Sequence, residues 1–421
     1  VTLNGTIASS NDAIVLGAVT LGSATTVDTN ASDNGADITI AAVTGGSNNL
    51  TLSTGDNVAG ADITASGAIS GLGNLTLADV GGTATFSANV AVAALSADNT
   101  VANIAFTGST NTFSAASTLA NDGTLTFGDA TGDSFTFNGG LTTSSVGGTV
   151  TLNTSISSSD DALTFGAVTL GNNVTIDTNS TTTNRADITI AAVTGGNNTL
   201  TLTTENNITG ADITASGNIS GVTTLTLASV GGTATLSADV DVTTLSVDNT
   251  VANVAFTGNG SSVTNAVSFA NDGTLTLGAS STTQTYNGGL TTTSVGGTVT
   301  LNGSIKTSSD AIVLGAVTLA NPVTIDTDAT NNNGDITIGV VTGSGQNFAM
   351  ETGNNIAGAD ITASGAISNV ATLALDNVGG TATFSGDVDV NALDVDNTVA
   401  NLALTGNGST ITSNFTPSND G

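Results

Sequence analysis

The sequence predicts an all-β chain wound as a parallel β-solenoid, and three observations carry that expectation. Short runs such as Thr124-Leu125-Thr126-Phe127 alternate with a period of two, which sends Leu and Phe inward and Thr outward. The chain repeats itself at two nested periods, the signature of stacked units. Composition agrees: Gly numbers 53 and Pro only 2, while the strong helix formers Lys, Arg, Glu and Gln are almost absent.

The longer period is explicit. Val1-Thr2-Leu3-Asn4-Gly5 returns as Val150-Thr151-Leu152-Asn153 and as Val299-Thr300-Leu301-Asn302-Gly303, a shift of 149 residues each time. This divides the chain into residues 1–149, residues 150–298 and an incomplete third copy, 299–421, wound as one continuous solenoid. The copies stay in phase except at Asn30 to Gly35, Ser180 to Arg185 and Ala329 to Gly334, where one residue is gained or lost as in a surface loop. The shorter period appears in Thr2, Thr26, Thr51, Thr76, Val101, Thr126 and Thr151, whose steps of 24 or 25 make six coils per copy. A unit of about 25 residues cannot bury its own apolar face, so each must rest on its neighbours at a spacing of about 4.8 Å.

Taken in chain order, the strand segments begin with Val1 to Asn4 and continue through Asp12 to Val15, Asp37 to Ile40 and Asp62 to Ala65. Turn formers such as Gly45-Gly46, Asn121-Asp122-Gly123 and Asn271-Asp272-Gly273 separate strands where positive φ costs little. Val-Gly-Gly-Thr recurs from residues 80, 146, 230, 295 and 378, each time before a strand, as a coil corner does. Positions that exchange one large apolar residue for another between copies are expected in the core: Phe86 with Leu236 and Phe384, Phe106 with Phe256 and Leu404, and Phe137 with Tyr286.

Charge and missing residue types exclude several functions. The 33 acids face two bases, Arg185 and Lys306, giving a net charge of −31 that repels phosphate backbones and anionic headgroups. Nucleic acid is therefore not an expected partner. No run is long and apolar enough to cross a membrane as a helix, and a membrane barrel would need aromatic girdles in a chain with no Trp and one Tyr. Without Cys, stability must come from packing and ladder hydrogen bonds. Without His or Cys there is no triad, thiol nucleophile or His-ligated metal, so the chain is not expected to be an enzyme.

The candidate site is a column of carboxylates. Asp12, Asp37 and Asp62 fall on one position of three successive coils, and the trio returns as Asp161, Asp187 and Asp212 and as Asp310, Asp335 and Asp360. Stacked one coil apart, such groups repel by ~1 to 3 kcal/mol per pair. Bridging by Ca²⁺ is one way to offset this, and these nine residues are then the metal ligands. The other reading has each Asp capping the start of a strand by accepting turn N–H groups; no cofactor is then required. A shorter column, Asp98 with Asp122, Asp248 with Asp272 and Asp396 with Asp420, invites the same two readings. The Gly-Gly-x-Gly-x-Asp calcium nonapeptide is absent. Outward Thr-x-Thr pairs such as Thr83/Thr85 and Thr233/Thr235 suit an ice-binding array, but they do not recur on every coil, so a continuous regular face is not expected and Thr reads as an ordinary exposed strand residue.

Strands of the form Gly-Thr-Val-Thr-Leu-Asn (148–153) and Ala-Asp-Ile-Thr-Ile (36–40), repeated without Cys, resemble those of bacterial β-strand-repeat surface proteins, the filamentous-haemagglutinin-like adhesins and autotransporter passengers. The resemblance implies a right-handed parallel β-helix displayed outside a bacterial cell. The expected role is a structural extracellular filament or surface shaft whose subunits associate end to end. The alternative is an adhesin module recognising glycans or neighbouring cells, with an ice-binding or S-layer-like coat protein behind it. Aromatics are 3% of the chain and mostly align with core positions, which favours the shaft over a recognition patch.

Overall fold

The computed structural model describes the chain except for residues 34, 56, 57, 182–185, 206, 332, 354, 355 and 419–421. The described residues form strands joined by short turns and contain no helix. Two compact units are present, Val1–Gly217 and Asn218–Gly421. Each is a parallel β-solenoid with three strand ladders per turn.

In the first unit one ladder runs Ile14, Ile38, Ile63, Ala84, Ile104, Leu125, Val150, Val168, Val193, every pairing parallel. Its steps are unequal: those from Ile38 to Ile63 and from Leu125 to Val150 are among the longest, and that from Val150 to Val168 is the shortest. In the second unit the ladder Ala234, Val254, Leu275, Val299, Val317, Val341, Ile367, Val388 is also parallel throughout, and its shortest step, Val299 to Val317, falls at the equivalent place. A turn averages about 22 residues, at the short end of solenoid repeats. The longer spacing seen in the sequence is a true rung spacing at Thr26, Thr51 and Thr76 and again at Thr126 and Thr151. Between Thr76 and Thr126 the turns tighten, as in the steps from Thr76 to Ser96 and from Ala105 to Thr126, because the corners there lack extra loop residues.

This tightening changes what the superrepeat means. Six turns from Thr2 pass through Thr20, Thr44, Ser70, Ala91 and Thr112 to Thr136. Thr151, the counterpart of Thr2, lies two faces further on, in the ladder of Thr126 and Thr169. The superrepeat is thus six turns and two faces, so matching residues move to a different face in each copy. The second unit repeats the displacement independently. There Ala234 pairs with Val254, while its counterpart Ala382 belongs to a separate ladder with Ile361 and Leu402.

Alternation supplies the core. Strands such as Leu125–Phe127 and Ile188–Thr194 bury their first and third residues and turn the Thr between them outward. Phe86, Phe106 and Phe127 stack on successive turns with ring centroids 5.0 and 5.9 Å apart, and Phe135 meets Phe106 and Phe127 edge-on at 5.8 and 5.2 Å. In the second copy Tyr286 replaces Phe137 and Gln284 replaces Phe135. Those two changes belong together, since the fully buried Tyr286 hydroxyl donates to Gln284 Oε1 at 3.1 Å and Gln284 Nε2 donates to the Phe256 carbonyl at 2.8 Å. Burial also pushes the Tyr286 phenol well above its ordinary pKa. Leu404 departs from the expected core: it is 37% exposed, because it lies on a strand, Asn401–Leu404, that no described strand covers.

Turns approach so closely that some positions admit only Gly. A Cβ on Gly67 would lie 1.6 Å from the Ala41 carbonyl oxygen one turn earlier, and on Gly217 2.0 Å from that of Ala191. These contacts are backbone, which cannot rotate away, so any side chain would push the turns apart.

Candidate functional site

The nine predicted aspartates separate into stacked pairs and outliers. Ile14 pairs with Ile38 and Ile38 with Ile63, which places Asp37 directly before Asp62 in one ladder but sets Ala13, not Asp12, beside Asp37. The same register stacks Asp187 with Asp212 and Asp335 with Asp360, and leaves Asp161 and Asp310 one position out. The cause is a tight turn. Asn11, Asp160 and Ser309 each adopt positive φ, at 67°, 66° and 68°, and the carbonyls of Asp12, Asp161 and Asp310 each accept a hydroxyl from three positions back, at 2.5 Å. The extra residue between the aspartate and its strand shifts the aspartate off the ladder.

The paired carboxylates cap the next turn. Asp37 Oδ1 accepts the Asp62 N–H at 2.8 Å, and Asp62 Oδ1 accepts that of Thr83 at 2.7 Å. Asp187 accepts from Asp212 at 2.9 Å, Asp335 from Asp360 at 2.9 Å, and Asp360 from Thr381 at 2.7 Å. Asn does the same work elsewhere: Asn49 Oδ1 accepts from Asn74, Asn103 from Thr124 and Asn253 from Thr274, each at 2.9 Å. What these sites share is an acceptor, not a charge, which fits a cap for a strand's first N–H. Burial raises the Asp187 pKa, opposed by the Asp212 N–H and reinforced by the Asp212 charge. Asp161 is raised chiefly by burial and then by Asp160. Among the described residues, no three carboxylates converge as a metal would need.

The shorter column is also not a stack. Asp98 Oδ1 accepts the N–H of its own Thr100 at 2.9 Å, and Asp248 that of Thr250 at 2.8 Å. Asp122 instead lies over Val101, to which its N–H donates at 2.8 Å. Asp420 and Arg185 lie outside the described residues.

A second acidic position was missed. Asp28, Asp177 and Asp326 recur with the superrepeat, and each accepts the N–H two positions on, from Asn30, Asn179 and Asp328, at 2.9, 2.7 and 2.8 Å. The next residue closes the base of the variable loop: Thr29, Thr178 and Thr327, all fully buried, donate to the carbonyls of Ala36, Ala186 and Gly334 at 2.7 Å. Burial, with Glu205 nearby, pushes Asp177 up to about 6, against the opposing Asn179 N–H. In the third copy the ladder continues as Lys306, Asp326, Glu351 and Asp376. Lys306 Nζ bonds Asp326 at 2.8 Å, and this contact raises the lysine pKa. Burial and then Asp326 raise Glu351, and burial followed by Asp396 and Asp394 raises Asp376. The recurrence of Asp-Thr once per superrepeat could have exposed this position in the sequence.

Outward hydroxyls are more regular than the sequence suggested. Thr6, Thr26, Thr51, Thr76, Ser96, Thr118, Thr142, Thr164, Thr189 and Thr214 form one unbroken ladder through the first unit. Unequal turn lengths hide it from any fixed-period reading. In the second unit a surface groove is lined by Ser268, Thr291, Asp310 and Asn333 among others.

No family model, no curated protein and no solved structure matches this chain.

Proposed function

We propose that this chain is a structural segment of an extracellular filament or surface shaft, of the kind built by filamentous-haemagglutinin-like and autotransporter-passenger proteins. The observation that supports this most is the displacement of matching residues to a new face in each superrepeat. Residues that match between copies therefore do not accumulate on one side of the solenoid, as they would if one superrepeat motif were the recognition element. Here Thr2 and Thr151 belong to different faces, and outward hydroxyls line all three faces of the first unit, interrupted by Ala91 and Asp177 on one and by Val15 and Ala105 on another. That arrangement serves length and stiffness equally in all directions. A charge of −31 keeps such shafts apart sideways, and the ladder N–H and C=O groups directed along the axis offer end-to-end association. On this reading no catalysis and no cofactor is involved, and the aspartates act as caps.

Negative-stain imaging and size exclusion over a concentration series test it. Filaments that lengthen with concentration are expected; compact particles of constant size at every concentration would overturn end-to-end assembly. The unbroken hydroxyl ladder supports a second reading, an adhesin face for neutral glycans. Saturable binding on a glycan array, abolished by Thr51→Val with Thr76→Val, would favour it over the shaft.

A further inference from the structure

Two equivalent corners hold buried oxygens without a hydrogen-bond partner among the described residues. Asn121 is fully buried, and its Nδ2 donates to the carbonyls of Ala102, Gly123 and Thr124 at 3.1, 3.1 and 3.0 Å. Three carbonyls around the nitrogen fix the amide's orientation, which leaves Oδ1 inward with no partner among the described residues. The Thr143 hydroxyl, also fully buried, lacks a partner as well. These residues meet at one corner: Gly147 N–H donates to the Asn121 carbonyl at 2.8 Å while Val146 N–H donates to that of Thr143 at 3.1 Å. In the second unit the pattern recurs. Asn271 Oδ1 and Thr292 Oγ1 are unpartnered and buried, with Gly296 donating to Asn271 at 2.9 Å and Val295 to Thr292 at 3.2 Å. The third counterpart, Asn419, lies outside the described residues.

One orphaned oxygen is an accident of packing, but the same pair orphaned in two separate units is a property of the corner. We propose that each corner binds one internal water, which donates one hydrogen to Asn Oδ1 and engages the Thr hydroxyl of the following turn. Water suits the site because a buried carbonyl oxygen needs a donor and a buried hydroxyl accepts or donates as required. A cation is disfavoured, since two neutral oxygens return too little of its hydration. The bridge ties adjacent turns at a corner between strands, Ser117–Leu119 and Leu125–Phe127 in the first unit, where no strand ladder operates.

Water-¹⁷O magnetic relaxation dispersion on the intact chain, with Thr143→Val/Thr292→Val and Thr143→Ser/Thr292→Ser variants, tests this. The expected result is a dispersion amplitude that falls by two waters in the Val variant and holds in the Ser variant, with a lower Tm for Val than for wild type. If the corners are dry, removing an unsatisfied hydroxyl raises Tm and leaves the amplitude unchanged; either result overturns the proposal. Should the Val variant fail to fold, the wild type decides: an amplitude corresponding to fewer than two long-lived waters overturns it.

Discussion

Replacing Asp62 by Ala and by Asn separates the role of its charge from that of its oxygen. Asp62 Oδ1 accepts the Thr83 N–H at 2.7 Å, and a charge-assisted bond of this kind contributes ~1.5 to 3 kcal/mol. Against this stands repulsion from Asp37 one turn away, about 1 kcal/mol at a half-exposed site. Asp62→Ala loses the bond and relieves the repulsion, a net loss of about 0.5 to 2 kcal/mol. Asp62→Asn keeps an acceptor, gives up roughly 1 kcal/mol of charge assistance and gains the same relief, so it stays within about 0.5 kcal/mol of wild type. Asn103 and Asn253 already fill this role with the same geometry. Native-state hydrogen exchange is the assay, because it reports a single amide in a repeat structure whose global unfolding need not be two-state. The Thr83 amide should exchange ~2 to 30 times faster in Asp62→Ala and within about twofold of the wild-type rate in Asp62→Asn. Millimolar Ca²⁺ should slow it no more in wild type than in Asp62→Asn. Equal damage from both substitutions, or calcium protection confined to wild type, would refute capping and return the carboxylate column to metal binding.

Two further outcomes concern the acidic ladder and the core. Asp177 is raised to about 6 from an ordinary 3.8, so the folded state holds its proton more tightly than the unfolded chain does. The first unit therefore gains stability as pH falls from about 6 toward 4 and loses it on the way back up, by roughly 1 to 2 kcal/mol once screening at this half-exposed group is counted. Melting curves across that window should show the slope, and Asp177→Asn should flatten it; an unchanged slope would count against the assignment. Phe106→Ala should cost ~4 to 5 kcal/mol and Phe256→Ala about 1 kcal/mol less, because Phe106 has two stacked and two edge-on ring partners where Phe256 has, among the described residues, one edge-on partner in Tyr286. Urea unfolding of the two variants measures the difference, and equal losses would show that ring stacking adds nothing beyond burial.

The β-solenoid was legible in the chain alone, because period-two alternation and stacking are local rules. Thr124 to Phe127 can bury Leu and Phe only by turning Thr outward, and a unit of some two dozen residues has no core unless it rests on another. Most of the aromatic core was legible too, since Phe86, Phe106 and Phe137 have large apolar counterparts one superrepeat on. Register emerges only in three dimensions. A ladder constrains the residues that pair and leaves the corners free, so the short turn from Val150 to Val168 and the long one from Val174 to Leu200 stack equally well, and no constant spacing survives in the sequence. That freedom put Asp12 one position off the ladder, hid the continuous run from Thr6 to Thr214, and carried each superrepeat round to a new face.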